Sequence, residues 1–469
     1  MARAFLPFDL NQPFLLPPDI RDWLPDQHLA RFIVDVVETV DLRELMRAYM
    51  HASDAGRPGY HPKMMLGLVL YAYCTGTRSS RQIERKTYED VAYRVLSGNQ
   101  HPDHDTIADF RQRNLKVIAK LFVQVLQLCR KAGLVKLGNV TIDGTKVKAN
   151  ASKHKAMSYQ RMCETEKRLE AEVKTLLDAA AKTDAEEDNR FGKGKRGDEL
   201  PDELARRESR LAKIRAAKAA LEQEAKEKAE QAAAEARAKN EKRRRKEEET
   251  GKKMGGRPAE EPDPAKAVPD PKAQRNFTDP ESRIMKDGSS KSFEQAYNAQ
   301  AAADSCSQVI VATTVTQDPN DKRQLVPMLL KVKEQAGALP ASASADAGYF
   351  SAEAVTDPRI ADVELFVPPD RQKHAEAVTE TNEPVPAEAA SVIEKMREKL
   401  RTQEGHAVYK QRKAVIEPVF GQIKEARGIR RFSFRGLEKV LAEWDIICLT
   451  HNLLKLLHAG TGRPAISGV

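Results

Sequence analysis

Three acidic residues, far apart along the chain, have the side chains that a divalent metal ion prefers. They are Asp143, Asp346 and Glu417. Mg²⁺ favours carboxylate oxygens and needs only a few of them, because it keeps several of its waters. Two such ions about 3.5–4 Å apart activate an attacking oxygen and stabilise a leaving oxygen when a phosphodiester is cut. The three acids are therefore candidates for metal-dependent phosphoryl transfer.

The segments around these acids predict the elements that position them. Asp143 lies in the alternating apolar and polar segment NVTIDGTKVKA, which predicts a strand with one buried face. Asp346 follows the small and apolar residues of ASASADAGYF, which predict the end of an adjacent strand. Glu417 lies in a helical segment whose apolar positions predict packing onto the sheet. Gly144 and Gly348 follow the two Asp residues and allow other groups to approach closely.

Each of these acids taken singly has a more ordinary interpretation. An Asp at a strand end is more often a turn or cap residue, and a helical Glu is more often simply exposed. The cluster HPDHD (101–105) has a metal-like composition, but it is read more simply as a turn followed by a helix N-cap. No phosphate-binding glycine fingerprint is present, so nucleotide use is not indicated.

Composition predicts a soluble, multidomain protein with a polyanionic partner. The chain has 469 residues, enough for about three domains, and 78 Lys and Arg against 69 Asp and Glu, a net charge of +9. No run of eighteen apolar residues and no signal-like N-terminus is present, which predicts a cytoplasmic, nucleoid-associated protein. The five cysteines form no CxxC pair, so neither disulfides nor a zinc site is expected.

The chain is predicted to be mainly α with an α/β core. We expect a helical N-terminal DNA-binding domain at 1–135 and a mixed β-sheet domain at 136–157 and 272–460, which ends in C-terminal helices. A charged helical hairpin (158–256) and a Pro-rich linker (257–271) interrupt the sheet domain. The polar stretch 368–387 is expected to be loop or disorder.

Heptad spacing predicts that the insertion is two antiparallel helices joined by a Gly-rich turn near 192–197. Lys218 falls on an apolar seam position of the second helix and weakens that match. The block KRRRK (242–246) is a candidate phosphate contact, although such runs are more commonly solvated helix ends.

Basic residues near one turn of the N-terminal domain permit a helix-turn-helix-like DNA reader. Ordinary solvated positions on a helical bundle are an equally good interpretation of these residues, which are Arg78, Arg81, Arg85 and Lys86.

Several separate blocks, in order, resemble bacterial insertion-sequence transposases of the three-carboxylate (DDE) class. The blocks are HPKMMLGLVLYAYCTGTRSSRQIE, HPDHDTIADFRQR, TIDGTKVKANAS, NFTDPESRIMKDG, QAYNAQ, SADAGYFS and YKQRKAVIEPVFGQIKEARGIRRFSFRG. They are most similar to the eleven-eighty-two branch, which is related to the group with a Tyr-Arg-Glu-Lys signature. The resemblance implies an RNase-H-like catalytic domain, two Mg²⁺ or Mn²⁺ ions, double-stranded DNA as partner, and a dimer or larger assembly on DNA.

The resemblance places the acidic triad on Asp143, Asp346 and Glu417, and the signature on Tyr409, Arg412, Glu417 and Lys424. The family pattern has three residues between Arg and Glu, whereas this chain has four. A regular helix would then align Lys413 with Glu417, and a kink at Pro418 would restore Arg412.

Basic residues that lie near the acids in the sequence could bind the flanking DNA backbone. For any single one of them, an ordinary solvated surface position is an equally good interpretation. Lys424 is expected to contact a phosphate, and the other candidates for DNA contact are Tyr409, Arg412, Lys146, Lys148, Arg427, Arg430, Arg431 and Arg435.

Three functions stay open on the sequence. The first is a transposase that binds the ends of its element, hydrolyses the phosphodiester and transfers the strand into target DNA. The second is a metal-dependent nuclease of the same fold that does not join DNA. The third is a DNA-binding protein with a decayed site, against which all three acids stand in intact blocks.

Overall fold

The computed structural model describes residues 20–50, 59–191, 202–251, 253, 255–287, 291–370 and 391–461. The chain forms two compact units, one from residues 1–147 and 298–469 and the other from residues 148–297. The polar stretch at 371–390 and the Gly-rich turn of the insertion lie outside the described residues. None of the described helices is both long and apolar enough to cross a membrane.

The N-terminal part of the first unit is helical, as the sequence predicts. Short polar residues begin several of these helices, since Asp90 caps α5 and Asp103 caps α6 through side-chain bonds to backbone N–H groups. The interpretation of HPDHD as a turn and N-cap is thereby confirmed. The helices are α1 (Leu29–Thr39), α2 (Arg43–Met50), α3 (Pro62–Cys74), α4 (Ser80–Glu89), α5 (Val91–Leu96) and α6 (His104–Lys131).

A long C-terminal helix, α13 (Leu437–Leu456), runs through the middle of this unit. It packs against α3, α6 and the sheet, and it is buried on nearly every side. A helix that is apolar all round is stable only inside a core, because it has no polar face for water. The N-terminal helices and the sheet of the first unit therefore share one core through α13.

The sheet of the first unit has the strand order β6, β5, β1, β7, β8. Strands β5 and β6 are antiparallel, whereas β7 is parallel to both β1 and β8. The sequence predicts strands at 139–149, 295–303, 308–315, 340–347 and 363–367, and the structure confirms a strand in each segment. Their bounds are β1 (Asn139–Lys148), β5 (Phe293–Asp304), β6 (Ile310–Thr316), β7 (Ser342–Ser344) and β8 (Glu364–Phe366). The sheet is thus mixed, as expected for an α/β core.

Side chains from helices satisfy the edge of this sheet at β6. Asn452 of α13 accepts a hydrogen bond from the backbone N–H of Ile310 and donates one to its carbonyl, both at 2.8 Å. Gln335 accepts from the N–H of Thr313 at 3.1 Å. Unpaired backbone N–H and C=O groups on a buried strand edge would cost free energy. The side-chain amides of Asn452 and Gln335 therefore make hydrogen bonds that a further strand would otherwise make.

Four more helices follow the sheet strands in the first unit. They are α9 (Leu325–Ala336), α10 (Ala352–Val355), α11 (Val392–Arg401) and α12 (Gln403–Gly421). The apolar pattern of the sequence predicts a helix over residues 321–337. Helix α9 begins four residues later, at Leu325, so residue 321 lies in the loop before it. Helix α11 was not anticipated; it begins with a capping box formed by Ser391 and Glu394. Helix α12 packs beside β7 and β8.

The second unit contains the predicted helical insertion. Its elements are β2 (Ala156–Ser158), α7 (Tyr159–Phe191), α8 (Asp202–Thr250), β3 (Gln274–Asn276), β4 (Arg283–Lys286) and the start of β5. The two long helices are antiparallel, since Tyr159 bonds Glu222 while Glu172 pairs with Arg207. The short strands β2, β3 and β4 have no clear alternating signal and were missed.

Pairing with a carboxylate explains the lysine on the apolar seam. The ammonium of Lys218 lies 2.9 Å from Glu166, which also pairs with Arg215 at 3.1 Å. The hydrogen bond to Glu166 raises the pKa of Lys218. The seam is apolar on both sides of this pair, at Met162, Leu169, Leu211, Ile214 and Leu221.

Neighbouring acids neutralise part of the basic block at the end of α8. Arg243, Arg244 and Arg245 each pair with a glutamate four residues away on the same helix. Surface pairs of this kind contribute little stability, but they reduce the positive potential that a phosphate would meet. The Pro-rich segment is non-helical apart from one turn at Pro264–Lys266, as predicted.

The described cysteines are free thiols, as expected. Cys74, Cys129 and Cys448 are buried in the first unit, Cys163 is partly buried, and Cys306 is exposed. Burial raises the pKa of Cys74 and of Cys129 to about 12. These two thiols are therefore protonated packing groups near neutral pH.

A half-buried carboxyl group on α13, Asp445, predicts that stability falls as pH rises. Burial raises the pKa of Asp445 to about 7 from the ordinary 3.8, although the hydroxyl of Thr313 donates to it. The folded protein then holds a proton between pH 4 and 7 that the unfolded chain has lost, so stability decreases through that window. We expect Asp445→Asn to be more stable than the parent by about 1–2 kcal/mol at pH 8 and equal to it near pH 4.

Thermal unfolding of the two proteins from pH 4 to pH 8 measures this difference. Asp362→Asn, which changes an exposed acid of the same unit, is the matched control and should not alter the pH profile. A difference between Asp445→Asn and the parent that stays constant with pH would show that Asp445 is ionised throughout.

Candidate active site

Two of the predicted acids lie side by side on neighbouring strands. In the parallel pairing of β1 with β7, Thr141 lies opposite Ser344, so Asp143 and Asp346 both follow two residues later. Adjacent strands are about 4.8 Å apart, and residues two positions along a strand share a face. Asp346 raises the pKa of Asp143 by charge repulsion, as expected for neighbouring carboxylates. The sheet thus brings two acids together from 203 residues apart in the chain.

Asp143 is held by one backbone group and one cation. One carboxylate oxygen accepts from the N–H of Gly144 at 2.8 Å, and the other accepts from Arg412 of α12 at 3.2 Å. The side chain of Asp143 is 22% exposed. Burial raises its pKa to about 6 even though Arg412 opposes the shift. The carboxylate therefore lies in a setting where a second cation is electrostatically favoured.

Gly144 is required by close packing. A Cβ atom at this position would lie 2.3 Å from the amide nitrogen of Gln300, 2.7 Å from Asp321 and 2.9 Å from Asn298. All three distances are shorter than any normal contact, so every larger residue would displace these groups. The expectation that a glycine after Asp143 permits close approach is confirmed.

Asp321 is a third carboxylate at this place, and the sequence analysis missed it. It lies in the loop before α9, and its Oδ1 accepts from Asn298 at 2.7 Å and from Gln300 at 2.6 Å. The sequence held one indication of a polar partner here. The otherwise apolar strand β5 carries two amides, Asn298 and Gln300, on the same face. Buried amides need hydrogen-bond partners. The sequence did not show which residue supplies them.

Asp346 caps the turn that follows β7. Its Oδ1 accepts from the N–H of Gly348 at 2.9 Å, and a Cβ at position 348 would lie only 2.9 Å from that oxygen. The same turn ends at Tyr349, which is fully buried and donates its hydroxyl to Gln300. The cap interpretation of Asp346 is thus correct, and it orients the carboxylate beside Asp143 as well.

Arg412 and Tyr409 of α12 line the other side of Asp143. The guanidinium of Arg412 is buried, and it lies 5.8 Å from the centre of the Tyr409 ring. Among the described residues, the Nε of Arg412 has no hydrogen-bond partner. Arg412 is therefore a buried cation facing a carboxylate, which differs from the solvated DNA contact expected of it.

Glu417 is exposed on α12 and does not meet the two Asp residues. The described residues include no group of three His, Cys, Asp or Glu side chains arranged to hold a metal. Two contacts with β1 lie on either side of Glu417 in the chain. Arg412 of α12 reaches Asp143, and Lys424, in the helical turn after α12, donates to the carbonyl of Lys146 at 2.7 Å. Helix α12 continues through Pro418, and a wider helical turn follows at Gln422–Ala426. The extra residue before Glu417 thus leaves Arg412, not Lys413, beside Asp143.

Two of the arginines expected to contact DNA are internal structural groups. Arg427 is buried and donates to Thr450 at 2.8 Å and to the carbonyl of Ile447 at 3.2 Å, and burial lowers its pKa to about 10. Arg78 bonds the carbonyl of Arg431 and lies 3.9 Å from the buried Glu443. Both guanidiniums are used inside the fold, so neither is available to cradle DNA.

Other expected cations are accessible to different degrees. Lys146 is largely buried, 4.0 Å from Asp321, and burial lowers its pKa. Lys148 pairs with Glu294 at 3.2 Å, and Arg430 pairs with Glu425. Exposed positions from the same set are Arg81, Arg85, Arg430, Arg431 and Arg435.

Two protein families match this chain. A transposase domain, DUF772, matches residues 18–113, and a transposase DDE domain matches residues 370–457. Both matched segments are therefore similar to transposase domains, and together they support a DDE transposase of insertion sequences. No curated protein and no solved structure matches it.

The two matches cover different parts of this chain. The first spans α1 to α5 and the beginning of α6, and the second spans α11 to α13, including Glu417 and Lys424. Asp143 and Asp346 lie outside both. Their assignment to a candidate active site therefore depends on the sheet geometry.

Proposed function

We propose that this protein cuts DNA at the ends of an insertion sequence and transfers the resulting strand into target DNA, in a metal-dependent reaction. The observation that carries the proposal is the pair Asp143 and Asp346 on neighbouring parallel strands, in a chain with a DDE domain. The mixed sheet, with an antiparallel β6–β5 pair followed by parallel β1, β7 and β8, supports an RNase-H-like core.

The residues at this place suit a hard divalent ion. DDE transposases generally use such ions. Asp143 and Asp346 offer carboxylate oxygens of the kind that Mg²⁺ and Mn²⁺ prefer. Arg412 already pairs with Asp143 at 3.2 Å, which supports a site that accepts a cation. When bound, two ions would polarise the phosphate and stabilise the attacking and leaving oxygens.

Glu417 is the proposed third acid. It lies in the chain between Arg412 of α12 and Lys424 of the wider turn that follows, which both contact β1, so a modest change in the helix would bring it toward the same strand. The wider turn just after Gly421 and the missing backbone donor at Pro418 make this stretch the natural place for such a change. Glu417 would complete the set by holding one ion with Asp346 or Asp143.

The cations near the site have distinct proposed roles. Arg412 balances the charge of Asp143 before a divalent ion is present, and Tyr409 packs against its guanidinium. The ammonium of Lys424 donates to the carbonyl of Lys146 near the end of β1. From there it would bind a phosphate beside the cut. The exposed residues Arg81 and Arg85 of α4 and Arg430 and Arg431 would position flanking DNA without reading its sequence.

Reaction of the full-length protein with its own DNA ends tests this proposal. Inverted repeats that bracket the reading frame supply the substrate, labelled at one end and mixed with a supercoiled target plasmid in Mg²⁺ or Mn²⁺. We expect nicking at the repeat end followed by a product in which the label is joined to the plasmid. Cutting without joining would identify a nuclease, and binding without cutting would identify a decayed site.

A further inference from the structure

Asp321 stands at the centre of a hydrogen-bond network between the two candidate catalytic acids. Its Oδ1 accepts from the side-chain amides of Asn298 and Gln300 at 2.7 and 2.6 Å. Both amides are buried on β5, and the Asp321 side chain is only 20% exposed. A carboxylate that takes two amide donors in a largely buried place fixes the rotamers of both partners.

One branch of the network reaches Asp346. Gln300 uses its nitrogen to donate to Asp321 and its oxygen to accept from the hydroxyl of Tyr349. Tyr349 is fully buried and closes the turn that Asp346 caps through the N–H of Gly348. The orientation of the Gln300 amide therefore sets the position of the turn that holds Asp346.

The other branch reaches Asp143. Asn298, Gln300 and Asp321 surround Gly144 so tightly that no side chain fits there. The N–H of Gly144 donates to Asp143 at 2.8 Å. Lys146, two residues further along β1, lies 4.0 Å from Asp321. Asp321 therefore holds the backbone that orients Asp143.

A buried acceptor points into the same space. The Oδ1 of Asn298 has no hydrogen-bond partner among the described residues, although Asn298 is fully buried. The nitrogen of the same amide donates to Asp321 and, at 3.2 Å, to the carbonyl of Asp318. Such an amide keeps one orientation only while the acceptors of its N–H groups hold it, since an unsatisfied buried oxygen is costly.

We propose that Asp321 is a positioning residue that holds Asp143 and Asp346 in register for metal binding, acting through Asn298, Gln300 and Tyr349. This inference rests on the proposed function of the two acids as metal ligands. The loop that carries Asp321 is separated from both acids in the sequence, so the network joins β1, β5, the turn after β7 and the loop before α9. Partners that orient ligands in this way typically change metal affinity by about 10–100-fold when they are removed.

Two substitutions separate positioning from direct metal ligation. Asp321→Asn keeps an oxygen that accepts from Asn298 and Gln300 but loses the negative charge. Asp321→Ala loses both. For a positioning residue we expect Mn²⁺ affinity, measured by calorimetry on the full-length protein, to fall by at least about 10-fold in the Ala variant. The Asn variant should stay within about 3-fold of the parent. Equal loss in both variants would indicate a direct ligand and overturn the proposal.

A second measurement reads the position of the two acids without metal. The backbone amides of Gly144 and Gly348 are bonded to the carboxylates of Asp143 and Asp346. Hydrogen–deuterium exchange in peptides spanning these glycines should be faster in Asp321→Ala than in the parent or Asp321→Asn. Unchanged exchange in the Ala variant would overturn the positioning role.

The two measurements also keep this inference apart from the proposed function. If the parent protein fails to bind Mn²⁺, the metal-dependent function fails, whereas the exchange experiment still decides whether Asp321 positions the acids. Asp362→Ala, an exposed acid in the same unit, is the matched control and should change neither quantity. Circular dichroism of each variant confirms that it is folded.

Discussion

Asp143→Asn should reduce metal-dependent cleavage of element-end DNA by about 10³-fold or more while leaving DNA binding within a few fold of the parent. An amide is nearly the same size as the carboxylate, so the contact with the N–H of Gly144 is kept. The negative charge that attracts a divalent ion is lost, and metal stabilisation of the transition state is worth several kcal/mol. Each 1.36 kcal/mol corresponds to about a tenfold change in rate.

Cleavage rates and a gel-shift titration on the same DNA measure the two effects separately. Asp346→Asn should behave like Asp143→Asn, because the two acids occupy equivalent positions on paired strands. Asp362→Asn should cut at the rate of the parent. Full cleavage by the Asp143 variant would remove this acid from the mechanism, and loss of DNA binding in it would point to a structural role.

Glu443→Ala should destabilise the first unit by about 3 kcal/mol or more. Glu443 is completely buried on α13, where it accepts from the hydroxyl of Tyr73 at 3.1 Å and from the N–H groups of Ser433 and Phe434 at 2.7 and 3.1 Å. Arg78 lies 3.9 Å away. Removing this carboxylate takes a shared, fully buried partner away from three donors and one cation, and breaking a buried pair in this way typically costs about 3–5 kcal/mol.

Thermal unfolding followed by circular dichroism measures this loss, with an expected decrease of roughly 5 °C in melting temperature. Glu438→Ala on the same helix is the matched control. Glu438 is exposed and pairs with the exposed Lys116, so its removal should cost less than about 1 kcal/mol. If Glu443→Ala and Glu438→Ala have the same melting temperature, the buried contacts of Glu443 do not hold α13 to the N-terminal helices.

The repeating pattern of apolar residues predicted most of the elements, because that pattern depends on local geometry. The strand around Asp143, the helices of the N-terminal part and the two long helices of the insertion were all predicted from the sequence. The elements that were missed include the strands β3 and β4, which are too short to show a clear alternating pattern. Helix α9 was extended too far at its beginning, since the polar loop before it carries Asp321 instead of a first helical turn.

The sequence by itself determined that Asp143 lies in a strand and that Asp346 follows the end of another, because alternation and small residues set strand and turn locally. The parallel pairing of these two strands is a feature of the tertiary structure. Only the tertiary structure decided which groups surround them. Arg412 was expected to contact DNA, but packing of α12 beside the sheet turns it inward to Asp143. Asp321 looked like the start of a helix, and only the approach of β5 to Gly144 made it part of the site. Contacts between residues far apart in the chain depend on how the elements pack, which no local pattern encodes.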